Sequence, residues 1–288
     1  GGISGTGSFT AFSGIVKFSG SSGNGFVGDT IVEGATLIMN KSSGNAVPYS
    51  LVIGGNDPGD PAAVVQQSAT SEINLDVTVN ASGTYDMNGY SETIRDLNLN
   101  SGADHDSGVS ILTVRGDVNV DPGTTNLAST VSGFLRVSSG YCRIQVEEDG
   151  RLWLSAVMSG SEEIRKQGPG LLQVVEANTF TGAFTINEGG VELRNNAGLG
   201  TTAAGTFVNG DAYLELRCSS VSGETLTLNP ASLPMFWDKG VFRVNRFGGC
   251  SWSGGVSLLS DSAVDADPIE SALILSGSIS GSGDLVHQ

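Results

Sequence analysis

The sequence predicts an all-β protein that folds as a right-handed parallel β-helix, a β-solenoid forming one elongated domain. Four observations favour this class. Apolar and polar residues alternate over three to five positions along the chain, and glycine, asparagine or proline separates these segments. Nowhere does a helical pattern of about 10–15 residues intervene, and 42 of the 288 residues are glycine. Landmarks also recur along the chain, which favours stacked turns.

The recurring landmarks align residues 156–200 with residues 1–39. Each copy has a glycine followed by two alternating apolar residues, then an asparagine, an aromatic residue and a glycine. Thirteen residues after each asparagine comes an apolar pair. We expect the asparagines to cap turns, the aromatic residues to share one internal or turn position, and the apolar residues to stack in ladders. The equivalent positions are Asn24, Phe26, Gly28 and Leu37 in the first copy, Asn178, Phe180, Gly182 and Val191 in the second, and Trp252 and Gly254 in a partial copy.

The predicted organisation is one continuous solenoid with two parts that each begin with a repeat. Residues 1–155 begin with the copy at 1–39, and residues 156–276 begin with the copy at 156–200; spacer turns complete both. Residues 277–288 open a third copy that breaks off, so we expect an internal piece of a longer chain. At roughly 20–25 residues per turn, about 12–14 turns follow, spaced about 4.8 Å apart.

Each strand is predicted from a short alternating or apolar run between turn residues. In the first copy, strands are expected near 7–12, 14–19, 29–33 and 35–39. The segment 102–108 is expected to be a loop. A pair of β-sandwiches ranks lower, because the antiparallel hairpins that it requires would need more two-residue Asn-Gly or Asp-Gly turns. Further strands are expected at 51–53, 77–79, 97–99, 111–114, 118–120, 134–137, 142–146, 152–154, 206–208, 213–216, 225–228, 241–244, 256–259 and 273–275.

These landmarks resemble the autotransporter-associated β-strand repeat, also called the passenger-associated transport repeat. The family pattern is a glycine-rich run with alternating leucines, then Asn-Thr-Tyr-Thr-Gly and a final apolar pair. The similarity is best at 156–200 and extends to 1–39 and 277–288. Glu162 and Glu163 depart from it by replacing a glycine-rich pair, and Asn24-Gly25 replaces Asn-Thr.

The resemblance implies a function as well as a fold. We expect a non-enzymatic structural or adhesin-like segment of a large, secreted, surface-exposed bacterial β-solenoid whose repeats are associated with passenger export and folding. The expected location is the bacterial cell surface, either anchored to the outer membrane or secreted. Two alternatives stay open: a self-assembling extracellular filament subunit, and a glycan-binding or polysaccharide-processing β-helix protein. Expected partners are neighbouring turns of the same chain, end-to-end copies, and host-cell or environmental glycans or surfaces.

Net charge excludes other classes of partner. The chain carries 14 basic and 30 acidic residues, for a net charge of −16. Such a field repels phosphate backbones and anionic membranes, so we expect no nucleic-acid binding and no membrane insertion. The sequence contains no stretch of about 18 apolar residues, so no transmembrane helix is predicted.

No catalytic or cofactor-binding residues are predicted. His105 and His287 lie far apart without a nucleophile motif, and we expect both to be solvated. Asp104, Asp106, Asp265 and Asp267 could supply oxygen ligands to Ca²⁺. They lack the spacing of calcium loops, so solvated turn carboxylates are favoured and no metal or cofactor is expected.

The remaining polar and aromatic residues are expected at the surface. Arg143, Arg151, Arg165 and Lys166 are expected to face solvent or pair with nearby glutamates. Tyr85, Tyr90 and Trp237 are candidate exposed aromatics for glycan contact.

Three cysteines, Cys142, Cys218 and Cys250, lack a metal-binding spacing. Cys218 and Cys250 are 32 residues apart and could lie on neighbouring turns. A bridge between them stays open, but buried free thiols that act as small apolar residues are favoured.

Overall fold

A computed structural model describes residues 1–123, 127–231, 240–245, 248–266 and 271–287. Within these ranges the chain is all-β with no helix, and its parallel sheets stack as a β-solenoid of about 12 turns. The predicted class, an all-β parallel β-solenoid, is therefore confirmed. The number of turns in the structure lies at the lower end of the expected range of about 12–14.

The strands of the described residues are short, and most contain three to six residues. The first half of the chain contains β1 (Ser4–Gly5), β2 (Phe9–Ala11), β3 (Ile15–Gly20), β4 (Gly25–Phe26), β5 (Thr30–Val32), β6 (Thr36–Lys41), β7 (Leu51–Ile53), β8 (Ala63–Gln67), β9 (Val77–Val79), β10 (Gly83–Asp86), β11 (Glu92–Ile94), β12 (Leu97–Asn100), β13 (Asp104–Val114), β14 (Val118–Asp121), β15 (Ser129–Val137) and β16 (Tyr141–Val146). The second half contains β17 (Arg151–Ser159), β18 (Glu163–Gln167), β19 (Leu171–Val174), β20 (Phe184–Ile186), β21 (Gly190–Leu193), β22 (Thr206–Gly210), β23 (Tyr213–Leu216), β24 (Ser220–Val221), β25 (Leu226–Pro230), β26 (Phe242–Val244), β27 (Cys250–Trp252), β28 (Val256–Leu258), β29 (Ser262–Ala266), β30 (Leu273–Leu275), β31 (Ile279–Gly281) and β32 (Leu285–His287).

The chain divides into two compact units. Unit 1 comprises Gly1–Cys142 and Gly150–Ala156, and unit 2 comprises Arg143–Asp149 and Val157–Gln288. In unit 1, one parallel sheet runs β3-β6-β8-β10-β13-β15 and a second runs β2-β5-β7-β9-β12-β14, while β1 pairs with β4. In unit 2, the corresponding orders are β19-β21-β23-β26-β29-β32 and β18-β20-β22-β25-β28-β31, with a third sheet β24-β27-β30.

The core of unit 1 follows from the two-residue period of a strand. Alternate residues point inward, and the parallel register places each one against its equivalent in the next turn. One inward ladder runs Leu37, Val65, Tyr85, His105 and Val131, residue paired with residue across four successive strand pairs. Every member of this ladder is buried.

The core of unit 2 is built in the same way. Its inward ladder runs Leu172, Val191, Leu214, Phe242 and Val264. All five side chains are buried. Stacking like on like lets each turn bury the apolar face of the turn before it, which is the source of solenoid stability.

Four strands predicted in the first repeat copy are confirmed as β2, β3, β5 and β6. The predicted loop at 102–108 is wrong, because β13 begins at Asp104 and pairs with β10 from Thr84 to Asp86. Aspartate and glycine suggested a turn there. The ladder formed with β10 overrides that local preference, and a register shift between Asp106 and Ile111 absorbs the extra residues.

Candidate functional site

The repeat asparagines make the same hydrogen bonds in both units. Asn178 accepts a hydrogen bond at Oδ1 from the amide of Met158 (2.7 Å) and donates through Nδ2 to the carbonyl of Gly198 (2.6 Å). The partners lie 20 residues before and 20 residues after it, in the preceding and following turns. Its side chain is buried, so each bond satisfies a backbone group that water does not reach.

Asn24 has the matching role in unit 1. It accepts from the amide of Ile3 (3.0 Å) and donates to the carbonyl of Ala46 (2.7 Å), residues 21 before and 22 after it. Each asparagine therefore ties three successive turns together. The chemistry of the asparagine side chain explains the choice, since one amide supplies both an acceptor and a donor.

The repeat glycines lie where two turns approach most closely. A Cβ at Gly182 would lie 2.0 Å from the carbonyl oxygen of Glu162, and one at Gly254 would lie 1.7 Å from that of Glu224. A Cβ at Gly28 would lie 2.6 Å from the amide nitrogen of Ser8. These distances are incompatible with any side chain, so glycine is required by the backbone of the neighbouring turn.

The remaining repeat positions are in the core. Phe26, Phe180 and Trp252 are buried, as are Leu37 and Val191. Phe180 packs against Phe184 with ring centroids 6.0 Å apart, and Trp252 packs edge-on against Phe242 at 5.3 Å. These positions hold the turns together and present no surface to a ligand.

An acidic cleft of about 470 Å³ lies on the outer face of unit 1. Its carboxylates are Asp86, Asp104 and Asp106, and Asp86 lies opposite Asp106 in the register of β10 and β13. The exposed side chain of Val109 also lines it.

The carboxylates of the cleft bind backbone and side-chain donors of the protein. Asp86 accepts from the amide of Asn88 (2.8 Å) and from Nε2 of Gln66 (3.0 Å). Asp106 accepts from the amide of Gly108 (2.8 Å).

The described calcium candidates do not form one site. In the described ranges, no group of three or more His, Cys, Asp or Glu side chains is placed to hold a metal ion. Asp104 and Asp106 lie in the acidic cleft of unit 1. Asp265 lies in unit 2, where β29 places it opposite Arg243. Asp267 lies outside the described residues.

His105 is buried, and the prediction that it is a solvated loop residue is wrong. Because Asp104 and Asp106 point outward, the strand period places His105 in the core. Its ring stacks on that of Tyr85 at 5.3 Å, and neither ring nitrogen has a hydrogen-bond partner among the described residues. Burial lowers the pKa of His105 to about 4, so the ring is neutral near pH 7.

Tyr85 is also buried, which corrects its prediction as an exposed aromatic for glycan contact. Its hydroxyl donates to Oε1 of Gln67 (3.0 Å) inside unit 1. Tyr90 is 36% exposed, and Trp237 lies outside the described residues.

Two glutamates that sequence reasoning missed lie inside unit 1 close to this tyrosine. Glu92 accepts from Nε2 of Gln67 (2.8 Å) and from the amide of Glu72 (2.7 Å), while Glu72 accepts from the amide of Lys41 (2.7 Å). Burial raises the pKa of Glu72 to about 7 and also raises the pKa of Glu92. In the sequence, Glu92 lies at an inward position of the short strand β11, whereas Glu72 lies between β8 and β9 and has no such signal.

On the side of its sheet opposite the apolar ladder, unit 2 carries a ladder of charged and polar residues, most of which are buried. Gln173, Glu192, Glu215 and Arg243 occupy equivalent positions of β19, β21, β23 and β26. Arg194 binds Glu192 at 2.8 Å.

Two further cations complete this face. Arg217 binds Glu215 at 2.8 Å and Glu192 at 3.3 Å. The guanidinium of Arg243 lies 3.6 Å from the ring centre of Tyr213. The two carboxylates are thus neutralised by arginines, an arrangement that fits a structural role better than proton transfer.

Lys166 corrects another surface prediction, because its side chain is buried. Its ammonium group donates to the carbonyls of Gln167 (3.0 Å), Gly168 (2.6 Å) and Glu188 (3.0 Å). Burial lowers its pKa to about 8. Arg165 pairs with Glu163 at 2.7 Å, as expected.

The described part of the chain contains no helix that is long and apolar enough to cross a membrane. No family model, no curated protein and no solved structure matches this chain. The fold defines its class as a parallel β-solenoid.

Proposed function

We propose that this chain is a structural, adhesin-like segment of a large, secreted β-solenoid displayed at a bacterial cell surface, and that its repeats assist export and folding. The proposal rests on the asparagine bridges. Asn24 and Asn178 each satisfy a backbone group of the preceding turn and one of the following turn. The resemblance to passenger-associated repeats and the acidic surface agree with this role.

The bridges give a physical reason for directional folding. The amide of Asn178 can fill both of its hydrogen-bonding roles only after the turn that contains Gly198 has arrived. Until then, the Nδ2 group of Asn178 lies at the open end of the stack and is hydrated, and the arriving turn replaces that hydration with a buried hydrogen bond that adds about 0.5–1.5 kcal/mol. Each added turn therefore stabilises the one before it. A chain that emerges from a membrane pore and folds turn by turn would resist moving back.

An export assay tests this proposal. The full chain, fused to a signal peptide and an outer-membrane barrel in a Gram-negative host, is compared with its Asn178→Ala and Asn229→Ala variants. Asn229 is an exposed asparagine of β25 in the same unit. Protease accessibility on whole cells measures the exported fraction. We expect Asn178→Ala to reduce export severalfold and Asn229→Ala to leave it unchanged; equal export of both variants would refute the directional role.

The acidic cleft favours a second candidate, binding of a neutral glycan by unit 1. Carboxylates accept hydrogen bonds from sugar hydroxyls, and exposed apolar side chains cover the C–H face of a sugar ring. Ile111 and Phe134, both more than 40% exposed, lie side by side in the register of β13 and β15. The cleft itself is lined by Asp86, Asp106 and the exposed side chain of Val109, and β13 contains Asp106, Val109 and Ile111.

Polysaccharide pull-down with the full chain tests this candidate. We expect an Asp86→Asn/Asp106→Asn double variant to lose at least about tenfold in affinity, the value of one or two charge-assisted hydrogen bonds. Asp57→Asn is the matched control, because Asp57 is an exposed turn residue that accepts from the amide of Gly59. Retention of wild-type affinity by the double variant would exclude the cleft as the binding site.

A further inference from the structure

Two buried cysteines of unit 2 are in contact. The Sγ atoms of Cys218 and Cys250 lie 3.6 Å apart, and both side chains are at most 4% exposed. Cys218 precedes β24, Cys250 begins β27, and these two strands pair in parallel. The amide of Ser251 donates to the carbonyl of Ser219 (3.1 Å), which fixes the backbone beside both thiols.

We propose that Cys218 and Cys250 are a redox-active pair that closes into a disulfide joining two successive turns of unit 2. The register of β24 and β27 places Cys250 next to Ser219, one residue beyond Cys218. A strand spacing of about 4.8 Å combined with an offset of about 3.3 Å along the strand separates the two Cα atoms by about 5.8 Å, within the range of about 4.4–6.8 Å that disulfides span. The sulfurs need to approach by only about 1.5 Å to reach the bond length of about 2.05 Å. Small side-chain rotations achieve this, because the backbone hydrogen bonds already hold the two segments together.

The closing reaction is thiol–disulfide exchange with a low-molecular-weight disulfide as the oxidant. The Cys218 thiolate attacks one sulfur of the oxidant, forms a mixed disulfide and expels one thiolate. The Cys250 thiolate then attacks the Cys218 sulfur and expels the second thiolate. The two protons lost by the cysteines are taken up by the two leaving thiolates, so the oxidant is reduced to two thiols. Cys218 acts first, because it is the more exposed of the two (4% against 2%) and a local opening of the chain at the exposed Ser219 gives the oxidant access to its sulfur.

The third cysteine does not compete for this bridge. Cys142 belongs to unit 1, and burial raises the pKa of its thiol to about 12. Thiolate is the reactive species, so Cys142 reacts slowly with the oxidant. The inference goes beyond the proposed function, since it requires only that the turns of unit 2 are folded.

The bridge would stabilise unit 2 against opening. The two cysteines are 32 residues apart in sequence, so a bond between them restricts the unfolded chain substantially. Oxidation should raise the melting temperature of unit 2 by roughly 5–10 °C. The segment between the cysteines includes β24, β25 and β26, so three strands become part of a closed loop.

The test uses the purified full chain, first reduced and then incubated with glutathione disulfide. Alkylation followed by proteolysis and mass spectrometry identifies which cysteines are bonded. We expect a Cys218–Cys250 cross-linked peptide, an alkylated Cys142, a loss of two hydrogen atoms in the intact mass, and a higher melting temperature that a reductant reverses. The wild-type chain alone decides the result, so it does not depend on the folding of a variant.

Matched variants sharpen the assignment. Cys142→Ser should form the same bridge, whereas Cys218→Ala and Cys250→Ala should show no rise in melting temperature on oxidation. The proposal is overturned if both cysteines remain open to alkylation in the oxidised wild-type sample, or if each carries a separate glutathione without an internal bridge.

Discussion

Replacing Asn178 with alanine measures what the bridge between turns contributes to stability. The substitution removes two buried hydrogen bonds and leaves the amide of Met158 and the carbonyl of Gly198 without their partner. Each unsatisfied buried group costs about 1–3 kcal/mol. If the structure opens locally and water reaches these two groups, their combined cost falls. We therefore expect Asn178→Ala to destabilise unit 2 by about 2–5 kcal/mol.

The assay is urea unfolding combined with peptide-resolved hydrogen exchange, which reports unit 2 separately from unit 1. Asn229→Ala is the control, because this asparagine is exposed and donates to Asn209 at the long distance of 3.5 Å. We expect the control to lose no more than about 0.5 kcal/mol. If the two variants lose equal stability, the bridging role of the repeat asparagine is wrong.

Three further predictions concern packing and protonation. Gly182→Ala should destabilise unit 2 by about 1–3 kcal/mol because its Cβ meets backbone. Gly255→Ala, whose Cβ meets no atom closer than 3.4 Å, should be nearly neutral in the same urea titration. Burial raises the pKa of Glu72 from 4.5 to about 7, so its contribution to stability is complete below pH 4.5 and is lost as pH rises through 7. Glu72→Gln should therefore remove a change of about 1–3 kcal/mol in the free energy of unfolding over this pH range. Burial lowers the pKa of His105 from 6.5 to about 4, so its contribution is complete above pH 6.5 and is lost as pH falls through 4; His105→Phe should remove that loss.

The pH predictions are checked by measuring the free energy of opening of unit 1 between about pH 4 and pH 8, from the hydrogen exchange of its peptides. The two variants should change opposite ends of the profile, which separates their effects from a general loss of packing. Glu92 contributes in the same direction as Glu72, because burial also raises its pKa. Wild-type and variant profiles that run parallel over the whole range would contradict both assignments.

Much of the fold could be predicted because a strand has a two-residue period and because a solenoid repeats similar short strands from one turn to the next. Buried Leu37 and Val191 occupied equivalent places in the repeat copies, and the structure places each in an inward ladder of its own unit. The strands of the first copy lie where alternation predicted them. Such patterns are local, so they can be read without knowing which strands are neighbours.

The candidate site was less predictable, because its residues become neighbours only through register. Asp86 and Asp106 are 20 positions apart and face each other across β10 and β13. Local reading placed Asp104 and His105 in a loop, whereas pairing with β10 turned the segment into a strand and placed the histidine in the core. Lys166 was assigned to the surface because lysine is charged, but three nearby carbonyls stabilise its ammonium group inside.

By itself, the sequence determined the class of fold and the spacing of the repeat, since short alternating strands and glycine turns act over a few residues. Only the tertiary structure decided which polar groups are buried and which residues touch, including the contact between Cys218 and Cys250. The physical reason is that burial and register depend on residues about 20–30 positions away, in the turns on either side. A one-residue change of register would reverse inward and outward positions, and no local pattern specifies that choice at every turn.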